Sequence, residues 1–427
     1  MGKQRRTEWL SARVLGVFIV ASTIQSAPAA TWCVGPACSY QTISAAVAGA
    51  SAGDVIQVQP GVYSESVVIT KSLSLIGAGN GTIINAIGLP NGIFINGMAT
   101  APMAGISGVV VSGFSVQNAN FEGILVANAT EVTVSNNLVT GNNRSLNIGS
   151  GVCPGIPAFE TNEGDDCGEG IHLMAVDHSV ISGNIVKNNS GGILISDETG
   201  PTHDNLISGN TVSNNPYDCG ITLASHAPAA LSGLKLPAGV YHNTISGNTS
   251  SNNGLQLPGA GAGIGIFAPG PGNQNYGNVV INNTITGNGL PGVTMHNHAA
   301  PPKAPAPNLN DNVIVGNTIS GNAADTEDAA TPGPTGINLY SVAPVTGTII
   351  AQNKFNNEQI DVAVNTPAAD VTMRLNDLQG QTGVDNLGSG TVNANFNYWG
   401  CPQGPGTNTC AGMIGVVLAP SYATSPF

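Results

Sequence analysis

The stretch NLISGNTVSNN at 205–215 recurs in close copies: VTVSNNLVTGNN (132–143), SVISGNIVKNN (179–189), NTISGNTSSNN (243–253), NVVINNTITGN (278–288), NVIVGNTISGN (312–322) and TIIAQNKFNNE (348–358). Aligned on their apolar residues, the copies put Asn137, Asn184, Asn210, Asn248, Asn283, Asn317 and Asn353 in one column. A second column holds Asn142, Asn189, Asn215, Asn253, Asn288 and Asn322, with Glu358 in the last copy. Each copy reads as a short strand, a bend at Asn and another short strand, too small to bury its apolar face alone. Stacked about 4.8 Å apart, identical residues lie over one another, and each Asn amide can donate to one coil and accept from the next. Such repetition predicts a solenoid. The β-branched runs between Gly and Asn bends make it a β-solenoid, in the all-β class.

Only 8% of the chain is charged while 41% is hydrophobic, so Asn, Ser, Thr and Gly must cover the surface. The periodic pattern argues for a folded chain over a disordered one. Residues 1–30 combine a basic head (Lys3, Arg5, Arg6, Arg13), the apolar run VLGVFIVA (14–21) and Ala27-Pro28-Ala29, the plan of a secretory signal peptide. The run is well short of the roughly 20 residues of a membrane span. Cleavage before Ala30 leaves 7 basic against 23 acidic residues, a formal charge of −16. Nucleic acid, anionic membrane surfaces and bare polyanions are therefore poor partners unless a cation bridges. The reading is a secreted or periplasmic monomer, with one domain over 31–427: 31–80 as cap and first coils, 105–400 as the Asn-ladder coils, 401–427 as a C-terminal cap and tail.

Export permits disulfides. The local pairs are Cys33 with Cys38, Cys153 with Cys167, and Cys401 with Cys410, each stapling a loop or a terminus. Cys219 is left over in a repeat strand and is expected to be a small buried residue.

Residues 39–79 open with helical spacing at Ile43, Ala46, Val47 and Ala50, then alternate as strands at 55–58, 67–69 and 73–76. A solenoid needs such a plug over its first coil. Thr42-Ile43, Ala46-Val47, Gly53-Asp54, Val58, Pro60-Gly61, Tyr63 and Gly77, with the Asn columns and the closing NYWGCPQGPG (397–406), resemble right-handed parallel β-helix proteins of the pectin-lyase-like superfamily. The resemblance covers nearly all of the chain after the signal peptide. It implies that fold, and activities that range over lyases, esterases, hydrolases and epimerases.

A strand follows each Asn pair: GIHLM (170–174), GILIS (192–196), GITLA (220–224), GIGIF (263–267), GVTMH (292–296) and GINLY (336–340). Alternation sends Ile171 and Leu173, Ile221 and Leu223, or Val293 and Met295 inward. It sends His172, Leu194, Thr222, Gly265, Thr294 and Asn338, then Met174, Ser196, Ala224, Phe267, His296 and Tyr340, outward. Long insertions leave after this strand at 226–242, 269–277 and 298–311, and enter before it at 144–169, 254–262 and 323–335. The sheet is therefore expected to floor a walled groove suited to an extended carbohydrate polymer, with Thr222, Phe267, Thr294, Asn338 and Tyr340 as contact residues.

Histidines and acids gather on the same surface. His172, Asp218, His226 and His296 are the candidate catalytic groups, since a histidine beside a carboxylate can move protons near neutral pH. Asp197, Glu198, Glu169 and His203-Asp204 flank them. His296-Asn297-His298 sends two rings to one face, as metal ligands require. Asp165-Asp166-Cys167 is similar to the paired-aspartate motif of polygalacturonases, although the other elements of that family are absent. The same loop could take Ca2+ through Glu163, Asp165, Asp166 and Glu169. No cofactor is required by the sequence. Three readings stay open: a lyase, epimerase or hydrolase acting on a polysaccharide; a non-catalytic surface or periplasmic binding protein; and a periplasmic copper-handling β-helix resting on His296 and His298.

Overall fold

The computed structural model describes residues 28–99, 105–148, 153–160, 168–225, 238–257, 259–270, 272–297, 306–326, 331–407 and 409–427. Most of the expected signal peptide, Glu163, Asp165, Asp166, Cys167, His226 and His298 lie outside them. The chain winds as a right-handed parallel β-helix. Three long sheets run along it, of 14, 10 and 16 strands among the described residues, and their neighbours pair in parallel. One coil shows the plan: Val180–Ser182 in the first sheet, Ile185–Lys187 in the second, Gly191–Ser196 in the third.

Identical positions stack without slippage. Ile171, Ile193, Ile221, Ile264, Val293 and Ile337 are successive partners and all fully buried. Each such side chain contributes about 1.5–3 kcal/mol by leaving water. This is the energy that one repeat cannot gather alone.

The corners are held by asparagine. Asn137 Nδ2 donates to Asn184 Oδ1 at 3.0 Å, Asn184 to Asn210 at 3.0 Å and Asn210 to Asn248 at 3.0 Å, and the line continues through Asn283, Asn317, Asn353 and Asn376 to Asn397. The second column runs from Asn142 to Asn322 and ends on Glu358, whose Oε1 accepts from Asn322 Nδ2 at 2.9 Å. A third line, Asn205, Asn243, Asn278 and Asn312, holds the remaining corner, with Ser179 N–H donating to Asn205 Oδ1. The bend itself falls one residue before the ladder Asn, at Asn136 (φ 55°), Gly183 (64°), Gly209 (62°) and Gly247 (63°). Glycine enters this left-handed region freely, and Asn more readily than other side chains. That is why every copy but the last has Gly or Asn before the ladder Asn; the last has Gln352 (φ 57°).

A glycine stands at the head of the third-sheet strands, as Gly123 and Gly170 do, because the corner leaves no room for a side chain. A Cβ at Gly123 or Gly170 would fall 2.7 Å from the Nδ2 of Asn142 or Asn189.

The N-terminal plug is the helix Ile43–Gly49, capped by Thr42 Oγ1, which accepts from Ala45 N–H. Glu65 accepts from the Ile43 and Ser44 N–H groups, both at 2.8 Å. Asp54 ties the first strand down, accepting from Trp32 Nε1, Ser51 N and Ala30 N. These bonds, the Trp32 one foremost, hold its carboxyl below the usual range. Cys33 is bonded to Cys38 and Cys401 to Cys410. Cys153 is also disulfide-bonded, and Cys219 is free and buried.

Candidate functional site

The outward columns of the third sheet stack as alternation requires: His172, Leu194, Thr222, Gly265, Thr294 and Asn338 in one, Met174, Ser196, Ala224, Phe267, His296 and Tyr340 in the other. They do not line an open groove. His172, Thr222, Thr294, Asn338 and His296 are all 5% exposed or less. Phe267 and Tyr340 keep partial exposure. Two of the insertions, where they are described, reach over the sheet instead of standing at its margins. Phe159 packs with Leu125, Ala127 and Met174, and Asp325 reaches over His296 and Asn338. A floor carrying Leu125, Met174 and Leu194 gains by being covered.

Under this roof lies a cluster around His172. Glu122 precedes the strand Ile124–Thr130, Glu160 comes from the covering loop, and Glu169 opens the strand Glu169–Asp177 that carries His172. Glu198 follows the strand Gly191–Ser196. All four carboxyls are buried. His172 Nδ1 is 3.4 Å from Glu122 Oε1, and its Nε2 is 2.9 Å from Ser196 Oγ and 3.4 Å from Glu198 Oε2. Burial opposes the charged imidazole, but hydrogen bonds to Glu122 and Glu198, reinforced by their charges, outweigh it and push His172 up to about 9. His172 is therefore an imidazolium at neutral pH. Its Nε2–H donates to Ser196 Oγ, which donates to Glu198 Oε2 at 3.0 Å.

Ser196, His172 and Glu122 are thus in line as nucleophile, base and orienting acid would be. An imidazolium held between two carboxylates cannot accept the serine proton, however, and Ser196 is fully buried. The arrangement suits a cation better. Glu122, Glu160 and His172 each offer a ligand atom, and the three atoms lie within 4.8 Å of one another. Glu122 Oε2 accepts no hydrogen bond among the described residues.

The second histidine cluster is separate. His296 Nε2 lies 3.2 Å from Asp325 Oδ2 and 3.2 Å from Asn338 Nδ2, and its ring stands edge-on between Phe267 and Tyr340. Four coils separate it from His172, roughly 19 Å at about 4.8 Å per coil. The structure does not bring these two catalytic candidates together. Asp218 caps Cys219 N–H, and Asp197 accepts from Ser225 Oγ and Gly239 N–H. His226 and His298 are outside the described residues.

Sequence reasoning passed over Glu122 and Glu160. A signal was there: EGIL (122–125) and EGIH (169–172) repeat a glutamate before the strand glycine, where no structural role calls for charge.

No curated protein sequence matches the chain. Among solved structures, the Dettilon tailspike protein is 15% identical (TM-score 0.53), covering 86% of this chain and 62% of its own. The catalytic domain of a GH87 α-1,3-glucanase, solved with tetrasaccharides, is 12% identical (TM-score 0.51), covering 87% and 63%. The A-module of the Azotobacter vinelandii mannuronan C-5 epimerase AlgE4 is 15% identical (TM-score 0.42), covering 90% and 92%. This chain thus spans less than two thirds of the tailspike and glucanase chains, and at such identities the likeness is one of fold. The family model described as "Periplasmic copper-binding protein (NosD)" matches residues 53–229 and again 157–293. Together these matches span more than half of the chain, which therefore belongs to the NosD family of parallel β-helix proteins.

Proposed function

We propose that this protein is exported and holds a divalent metal ion of the copper class in the roofed cluster at Glu122, Glu160 and His172. The observation that carries the reading is the convergence of three buried ligand atoms, one each from Glu122, Glu160 and His172, within 4.8 Å of one another. Glu122, Glu160 and Glu198 are buried around His172, whose ring nitrogen coordinates only as the neutral imidazole, so a bound ion would take the place of its proton. An excess of negative charge in a low-dielectric interior is costly, and a divalent cation offsets it. The donor set of one imidazole and two carboxylates is of the nitrogen and oxygen type that Cu(II) and Zn(II) accept. The free thiol of Cys219 packs elsewhere, against Ala262 and Leu290. Membership of a family described as copper-binding supports the same reading. Equilibrium dialysis of the chain from Ala30 against Cu(II), Zn(II) and Ca(II) tests it. The Glu122→Gln, Glu160→Gln double variant is expected to bind one equivalent of Cu(II) fewer than the wild type. Equal stoichiometry in the two proteins would sink the assignment.

A second reading, recognition of a carbohydrate, is favoured by a different observation. Beside the cluster's strand an open hollow of about 380 Å³ is lined by Ile106, Ser107, Asn128, Thr130 and Asp177. Its volume lies in the range of small-ligand sites. Retention on neutral and uronic polysaccharide gels is expected for the wild type and lost in Ser107→Trp, which fills the hollow. Retention unchanged by that substitution would remove the hollow from consideration.

A further inference from the structure

Three of the chain's seven histidines share one surface patch at the corner between the third and first sheets. Asp177, His203, Tyr241 and Tyr276 are partners on successive coils. The residues that follow the first three, His178, Asp204 and His242, form the next column, at the left-handed bend (φ 48°, 55° and 55°). Histidines and aspartates therefore alternate in a checkerboard on two neighbouring coils, and His242 continues it on the third beside Tyr241, in a chain with only 8% charged residues.

The bend does not call for histidine. Gly277 fills the same position one coil further on, with φ 64°. A bulky side chain there costs on the order of 1 kcal/mol relative to glycine. His178 and His242 both carry that cost, so something other than the turn retains them.

Ring orientation says what kind of ligand fits. His203 stacks flat on Tyr241 (4.8 Å, 6°), and Tyr241 on Tyr276 (5.1 Å, 13°). Their faces are thus turned towards each other, which leaves little for a sugar ring to lie on. The edges are what the stack presents, and in histidine the edge carries the nitrogens. His178 Nδ1 lies 2.7 Å from Asp177 Oδ1, and His203 Nδ1 2.8 Å from Asp204 Oδ2. His242 Nδ1 is 3.9 Å from the other oxygen of Asp204. A carboxylate on Nδ1 fixes the proton there and leaves Nε2 as a lone-pair donor, the arrangement behind most metal-bound histidines. The His178 and His203 ring centroids are 6.2 Å apart. Two imidazoles on one ion, through bonds of about 2.0–2.1 Å, reach no more than about 6.4 Å between centroids. His178 and His242 are exposed and can turn on their own rotamers to meet an ion, while His203 is fixed by the stack.

We propose that His178, His203 and His242, oriented by Asp177 and Asp204, form a surface site for an imidazole-preferring divalent transition ion such as Cu(II). The site is distinct from the roofed carboxylate cluster and does not depend on it. Cu(II) binding to the untagged chain from Ala30, followed by titration calorimetry and electron paramagnetic resonance, tests the proposal. The variant His178→Asn, His242→Asn keeps residues that tolerate the left-handed bend. It is expected to lose a Cu(II) signal split by two or more imidazole nitrogens and to bind that equivalent at least ~10-fold more weakly, whereas Glu122→Gln retains both. Asp204→Asn, which disturbs only the orienting carboxylate, is expected to weaken the same equivalent by about 10-fold. A double variant with wild-type affinity and nitrogen splitting overturns the proposal. So does a wild-type protein whose Cu(II) signal disappears in Glu122→Gln alone, an outcome that leaves the roofed site standing.

Discussion

Replacing Asn210 by alanine is expected to destabilise the protein by about 4 kcal/mol. Asn210 Oδ1 accepts from the N–H and the Nδ2 of Asn184, both at 3.0 Å, and its Nδ2 donates to the Ile181 carbonyl at 2.9 Å and to Asn248 Oδ1 at 3.0 Å. Alanine leaves the Asn184 N–H and the Ile181 carbonyl buried without partners. Each such group costs roughly 1–3 kcal/mol. The neighbouring Asn214 is exposed at its left-handed bend (φ 57°) and gives the control. Asn214→Gly should change stability by less than about 0.5 kcal/mol, since glycine occupies that region freely. Denaturant unfolding of both variants settles the point. A loss below about 1 kcal/mol at Asn210 would mean that the ladder follows the fold instead of holding it.

The Glu358→Gln variant should become more stable than the wild type as pH rises from 5 to 8. Burial raises Glu358 to about 7 from an ordinary 4.5, against the pull of hydrogen bonds from Asn322. Its Oε2 takes no hydrogen bond among the described residues. Because the folded value lies above the unfolded one, the stability that this group contributes is complete below about 4.5 and is lost as pH climbs through about 7. The shift corresponds to at most about 3 kcal/mol. Glutamine keeps the acceptor oxygen for Asn322 and removes the ionisation. The two proteins should therefore unfold alike at pH 4 and diverge by pH 8. Parallel stability curves across that range would show that the carboxyl is solvated in the folded state.

The solenoid was legible because its determinants are local and repeated. Asn137, Asn184 and Asn210 announce the column by recurring at one place in each copy, and period-2 alternation sends Ile171 and Leu173 inward whatever surrounds them. The third ladder was equally present, as the first letter of the copies at 205, 243, 278 and 312, but was passed over because the first copies have Val132 and Ser179 there. The candidate site was less legible. Alternation correctly turns His172 and His296 outward, but whether an outward face is wet depends on where insertions such as 144–169 lie, and their path follows no repeat. The grouping of Glu122, Glu160 and Glu198 around His172 likewise comes from residues 12 to 76 positions apart in sequence, joined only by the stacking of coils and the covering loop. At the opposite corner, His178 and His242 occupy bend positions that the sequence reading passed over.

The asparagine ladders also give the solenoid an electrical direction. In each, Nδ2 points towards the C-terminal end and Oδ1 towards the N-terminal end, so the side-chain dipoles add head to tail and polarise one another. At the N-terminal end of the first ladder the free acceptor is met by a donor, Phe114 N–H. At the C-terminal end of the second the last donor meets a carboxyl oxygen, Glu358 Oε1. A coil grafted onto this protein therefore has to match polarity as well as register, offering an acceptor at the C-terminal side and a donor at the N-terminal side.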